Sequence, residues 1–462
     1  MSRSRPALSV ATSQPAPERW FGALFGAFLG LSFLKFGNPP IMEKWVTAPT
    51  NVYELVLGYP WPIGWAYFAL ALAVLASFAI GWQIKFPRWL LGLLLAWFGW
   101  QVVSAMQAVD LTLAIPTVKH FGACVACFCI GAFGLRRTGL SRTFWLGLLV
   151  PFFIVLAVGW EQHFGGLEQS RRYFFMYVYP QMTEVPPEYL KKISSERIFA
   201  TLFYPNTLAG LLVLVSPICL VQLWRVGGDG RMTGPARSVL VLLGAVAVTG
   251  CLYWSGSKGG WLLLLLLGVG MLLRLGLGRR IKAGIVIMLV VLGLAGFFWR
   301  YAGFFQRGAT SVSARFDYWS AAIKTAVKEP WLGTGPGTFA IPYAAIKRPE
   351  SEMARLAHND YLQQASDSGF PGAILYGCFV VLALGYSFRR LKSGRWDPDA
   401  VNAEQFAVWL GVLGWALQSL MEFSLYIPAL SWSAFALLGW LVSCETRADS
   451  QDGGSRAVLA AS

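Results

Sequence analysis

The chain has 462 residues, 56% of them hydrophobic and 13% charged, with a net charge of +15. A soluble domain carries about a quarter charged residues, so this composition excludes one and indicates a polytopic membrane protein. The positive balance does not mark a nucleic-acid binder, because no basic run carries interleaved aromatics outside the apolar segments; membrane orientation accounts for it.

In chain order, residues 1–19 are polar and are expected to form a disordered cytoplasmic tail, with no cleavable signal peptide. Apolar runs then predict about twelve membrane helices, near 20–37, 62–82, 89–107, 112–134, 143–162, 201–224, 238–254, 259–275, 283–299, 369–388, 403–424 and 427–444. The expected organisation is all-α. An N-terminal transmembrane bundle covers 20–299 and carries an outer loop at about 163–200. A large outer loop follows at 300–368, then C-terminal transmembrane helices at 369–445 and a cytoplasmic tail at 446–462.

Arg and Lys concentrate in one set of short connectors, for example Arg136, Arg137 and Arg142, or Arg274, Arg279, Arg280 and Lys282. The positive-inside rule therefore puts both termini in the cytoplasm and both long polar loops on the outer face. Chemistry on that face has no nucleotide pool to draw on and needs a pre-activated substrate. All seven cysteines fall within or at the ends of expected spans, so no disulfide framework is implied. Cys124 and Cys127 form a CxxC without a second pair, and read as small buried hydrophobes.

Four polar stretches interrupt the apolar pattern. Arg197 precedes Tyr204-Pro205-Asn206, where the chain re-enters the membrane, and a cation at such a broken entry suits an anionic lipid head group. Trp254-Ser-Gly-Ser257-Lys258-Gly259 joins two spans in a few residues; both phosphate binding and a tight hairpin with a snorkelling lysine are open for it. From Ser313 to Lys328, Phe316, Trp319, Ile323, Ala326 and Val327 recur at helical spacing and predict an amphipathic helix with Arg315 in its first turn. It leads into Gly333-Thr-Gly335-Pro-Gly337, expected as a tight turn that positions the segment Arg355 to Gln364. If residues 351–366 are helical, Arg355, His358, Asn359 and Leu362 share a face. His358 is one of three histidines in the chain, and so a scarce proton acceptor at neutral pH.

The ordered set resembles the O-antigen ligase and O-antigen polymerase superfamily of polytopic envelope glycosyltransferases. The resemblance covers roughly residues 195–440. It lies in Arg197 before Pro205-Asn206-Thr-Leu-Ala209, Ser255-Gly-Ser257-Lys258-Gly259, Arg315-Phe-Asp-Tyr-Trp319, Pro330-Trp-Leu-Gly333-Thr-Gly335-Pro-Gly337, His358-Asn359-Asp360-Tyr361-Leu362-Gln363 and Gly369-Phe-Pro-Gly372. One departure is Lys258, where the family usually has arginine; the charge is kept and the bidentate geometry is lost. The resemblance implies a GT-C-like enzyme of the bacterial inner membrane with its site facing the periplasm. It would transfer a glycan from undecaprenyl diphosphate to a lipid A-core sugar or another glycan acceptor, with no cofactor, metal or nucleic acid. It further implies His358 as general base, Arg197, Lys258 and Arg315 as diphosphate-binding cations, and Asn206, Asn359, Asp360 and Tyr361 in support. A single displacement would invert the anomeric centre. A polymerase of the same superfamily is the neighbouring alternative. An anion transporter is the alternative from another class, for which Lys119, His120 and Glu422 are the intramembrane ionisable groups.

Overall fold

The computed structural model describes residues 16–37, 46, 48–57, 60–80, 86–135, 142–173, 175–176, 179, 194–228, 232–274, 276–306, 310–349, 351–391 and 401–444. The tail beyond residue 444, most of the N-terminal tail, and Lys191 and Lys192 of the first outer loop lie outside them. The helices in chain order are α1 (Ala16–Lys35), α2 (Val52–Leu57), α3 (Ile63–Ile80), α4 (Arg88–Met106), α5 (Leu111–Cys129), α6 (Arg142–Glu161), α7 (Leu167–Tyr173) and α8 (Pro205–Val226). There follow α9 (Gly234–Ser255), α10 (Lys258–Arg274), α11 (Arg279–Gln306), α12 (Thr310–Lys328), α13 (Ala340–Ile346), α14 (Asp360–Arg390), α15 (Val401–Gln418) and α16 (Pro428–Ser443). No strand occurs among the described residues.

Each of the twelve apolar segments falls on a helix, because a backbone removed from water must close its own hydrogen bonds. Eight helices are long and apolar enough to cross a membrane, which makes this a polytopic membrane protein. The other four segments, on α1, α10, α15 and α16, are helical at the expected places but do not meet that measure. The helix over 16–35 also begins inside the stretch expected as a tail, since Glu18 suits a first turn and an unbroken apolar run follows.

The middle of the bundle is α8 and α16, buried along almost their whole length. Around them α1 packs on α6 and α4 on α14, while α5 continues through a π-helical turn at Ile130–Gly134 that contacts α16. Gly131 and Gly439 permit that contact: a Cβ on either would fall 2.0 or 2.1 Å from a backbone oxygen of the facing helix.

The amphipathic helix expected to rest on the membrane or on the bundle is present as α12, and only part of its apolar stripe faces the bundle. Tyr318, Ala321, Ala322, Thr325 and Ala326 are buried, whereas Phe316, Ile323 and Val327 are exposed. Small side chains let α12 lie close on its neighbours, which turns the larger apolar residues outward.

Candidate functional site

Residues 351–359 are not helical, which corrects the expected shared face of Arg355, His358, Asn359 and Leu362. The physical reason is Asn359. Its side chain accepts from the Leu362 backbone N–H at 3.0 Å and caps α14, so the helix starts at Asp360. His358 sits one residue before the cap with φ of +52°, a left-handed conformation sparsely populated by residues other than glycine. That turn of the chain carries the imidazole away from the helix axis into a cage of Tyr318 (5.6 Å between centroids), Phe423 (4.9 Å) and Tyr204 (6.4 Å).

Within the cage, Nδ1 of His358 lies 3.1 Å from Oε2 of Glu422. A carboxylate accepts, so Nδ1 carries a proton and Nε2 lies on the far side of the ring from Glu422. Nε2 has no hydrogen-bond partner among the described residues, and the side chain keeps 19% of its surface exposed. The opposite oxygen, Oε1, pairs with Arg315 and accepts from Nδ2 of Asn206 at 2.6 Å. Burial pushes the Glu422 carboxyl up; the hydrogen bond and charge of His358, then those of Arg315, outweigh it and hold the group below the ordinary carboxylate value.

The polar chain continues outward. Oδ1 of Asn206 accepts from Arg197 at 2.8 Å, and Arg197 Nε donates to the Ser255 carbonyl at 2.6 Å. Ser255 closes α9 and Lys258 opens α10, so Arg197 is tied to the hairpin that carries the lysine. Gly256, at φ +62°, makes that turn, with Arg197 lying against its α-carbon. Lys258 feels the charges of Arg197 and Arg315, which brings the three expected cations into one electrostatic group.

The remaining expected residues hold the frame. Asn359 donates to the Leu420 carbonyl (3.0 Å), Asp360 accepts from the Leu425 N–H (2.8 Å), and Tyr361 donates to the Ala416 carbonyl (3.2 Å). All three tie the start of α14 to the end of α15 and the connection beyond it. That connection, 419–427, also receives Arg315 Nε at the Met421 carbonyl (3.1 Å) and the His120 imidazole at the Leu425 carbonyl (2.8 Å). His120 is buried on α5, and Lys119 beside it faces outward.

The glycine-rich turn is a joint. Gly333, Gly335 and Gly337 all have positive φ, and α14 kinks at Ser368 and Gly369 where the turn meets it. The N–H groups of Thr334 and Gly335 donate to the Ser366 and Asp367 carbonyls, and that of Gly337 donates to the Asp367 carboxylate at 2.7 Å. Those donors are therefore committed within the chain.

Glu422 is the residue that sequence reading left out of the site. It was visible as a rare acid in an apolar stretch, but it lies 64 positions from its histidine. A cavity of about 10 Å³ beside Glu422 and Asn206 is far below the several hundred Å³ of a ligand pocket.

The fold and this cluster define a polytopic membrane protein with a histidine–carboxylate pair set among guanidinium groups. Residues 243–377 match the family model described as O-antigen ligase, so this stretch of the chain is similar to that family. The matched stretch contains Lys258, Arg315, the glycine joint and His358; Arg197, Asn206 and Glu422 lie outside it and are brought to it by the fold. No curated protein matches the chain.

Proposed function

We propose that the protein transfers a glycan from undecaprenyl diphosphate to a sugar hydroxyl on the periplasmic face of the inner membrane, as an O-antigen ligase acting on lipid A-core. The observation that supports this reading is the His358–Glu422 contact of 3.1 Å, with Nε2 left open and the same carboxylate joined directly to Arg315 and, through Asn206, to Arg197. The acceptor hydroxyl gives its proton to Nε2 as its oxygen attacks the anomeric carbon. Glu422 holds the ring and stabilises the imidazolium that forms. The bond from the anomeric carbon to the diphosphate oxygen breaks, and the electron pair leaves with the lipid diphosphate.

Charge grows on that leaving group in the transition state, so cations already fixed in place lower the barrier more than they tighten ground-state binding. Arg197 is fixed by Ser255 and Asn206, and Arg315 by Met421 and Glu422. Glu422 has both oxygens committed to His358, Arg315 and Asn206, which favours orientation of the base over nucleophilic attack. One displacement with inversion follows. Asn359 and Asp360 act by holding the 419–427 connection, and Tyr361 by holding the end of α15, rather than by touching the sugar.

The deciding experiment supplies purified protein with a polyprenyl-diphosphate glycan and either lipid A-core or a second carrier-linked repeat as acceptor, with the product identified by mass. Transfer to lipid A-core that is lost in His358→Gln supports the ligase reading. Transfer to the carrier-linked repeat alone makes the protein a polymerase. Undiminished transfer by a folded His358→Gln variant removes His358 from the chemistry.

A further inference from the structure

Beyond the three cations expected from sequence, a fourth stands at the edge of the same group. Arg300 lies near the end of α11, its guanidinium 5.1 Å from the ring centroid of Tyr253 and 5.8 Å from that of Tyr301. The Lys258 ammonium stands 5.0 Å from the same Tyr301 ring, and the charges of Lys258 and Arg300 act on each other. Aromatic faces attract both cations and hold them in position. Neither Arg300 nor Arg197 forms an ion pair among the described residues. Like charges gathered this way repel one another until an anion joins them.

The surroundings of Arg300 indicate where that anion comes from. The apolar span of α11, Arg279–Gly303, is only 6% buried, so this helix stands at the outside of the bundle and meets lipid along its length. Trp261 on α10 donates its indole N–H to the Gly293 carbonyl at 3.1 Å, which fastens the two helices together. Next to Arg300, Trp299 is 81% exposed and Phe298 59%. Exposed aromatics at the end of a membrane helix settle at head-group depth, and Arg300 is placed at that depth with them.

We propose that Arg300, held between Tyr253 and Tyr301, is the capture residue for the diphosphate of the membrane-embedded glycan carrier. The carrier would arrive sideways from the bilayer past α11 and pass by way of Lys258 to Arg197 and Arg315. This inference rests on the proposed function for the identity of the anion, and on the structure for the route. Arg300 is a binding residue that touches the lipid anion before the reaction; Arg315 and Arg197 are the cations that face the bond being broken.

The test uses full-length protein in nanodiscs and measures binding of undecaprenyl diphosphate, with phosphatidylglycerol as a second anion. Arg300→Ala is expected to weaken diphosphate binding ~5-fold, the worth of about one basic residue at an anionic surface. Arg300→Lys should restore most of that loss, and kcat/KM for the lipid-linked donor should fall in step with the affinity while the acceptor KM does not move. Wild-type affinity in Arg300→Ala would overturn the proposal. So would an equal loss toward phosphatidylglycerol, which would make Arg300 a general lipid anchor. Binding is read without turnover, so a His358→Gln variant that keeps its activity would sink the functional reading and leave the capture result standing.

Discussion

Asn206 joins Arg197 to Glu422: its Oδ1 accepts from the guanidinium at 2.8 Å and its Nδ2 donates to the carboxylate at 2.6 Å. One amide thus keeps a cation and an anion apart at fixed spacing, an orientation that only an amide satisfies at both ends. Asn206→Asp places a second carboxylate against Glu422, and Asn206→Leu removes both bonds. Each variant is expected to lower glycan transfer at least ~10-fold and to destabilise the protein by roughly 1.5–3 kcal/mol, the range for a hydrogen bond to a charged group. Transfer assays and thermal unfolding in detergent measure the two effects.

Replacing Glu422 by Gln leaves a hydrogen-bond acceptor for Nδ1 but takes away the charge that stabilises the imidazolium. Transfer should fall toward the level of His358→Ala, a loss of ~10² to 10⁴ typical of general-base removal. The double variant should be scarcely worse than either single one, because the two residues act as a unit. Losses that multiply in the double variant would contradict this.

The depressed Glu422 carboxyl links the site to pH. A carboxylate held below its ordinary value of 4.5 adds stability that is present above that value and drains away as pH falls through the folded-state value. The difference in unfolding temperature between wild type and Glu422→Gln should therefore be level at neutral pH and narrow once pH drops below 4.5. A gap that stays constant across the acid range would disprove the linkage.

Asn359→Ala removes the cap of α14 and the bond to Leu420 together. It is expected to reduce stability by about 1 kcal/mol, within the usual span for an N-cap. Asn359→Asp keeps the capping oxygen and should lie between wild type and Ala; an Asp variant no better than Ala would point away from capping.

At Gly369, φ is +70° and ψ 179°, a region essentially closed to other residues, and an added Cβ would fall 2.1 Å from the Trp331 carbonyl oxygen. Gly369→Ala should disturb the joint between α14 and the 333–337 turn, visible as a loss of monodisperse protein after extraction. Ala at the open Gly385, where a Cβ meets nothing within 4 Å, should behave as wild type.

The helices were legible because hydropathy is a local property: each apolar run states its own need to bury a backbone. His358 and the cations were legible as rare polar residues in ordered motifs. Glu422 was seen but assigned elsewhere, since nothing in a linear chain tells that residues 358 and 422 meet. The condition that 351–366 be helical is met only from Asp360 onward, because Asn359, directly after the histidine, is the residue that starts the helix. The outward turn of Phe316 and Val327 on α12 was likewise hidden, as side-chain spacing does not say which of two apolar stripes meets a neighbour.

Besides the side chains of Glu422 and Tyr426, the 419–427 connection is gripped through its main chain, at Ser419, Leu420, Met421 and Leu425, by partners on three other stretches. Amide and carbonyl groups are the same whatever residue bears them. Natural drift can therefore rewrite Leu420, Met421 or Leu425 and leave the outline of the connection intact, whereas the single acid among them has no substitute of equal reach and charge.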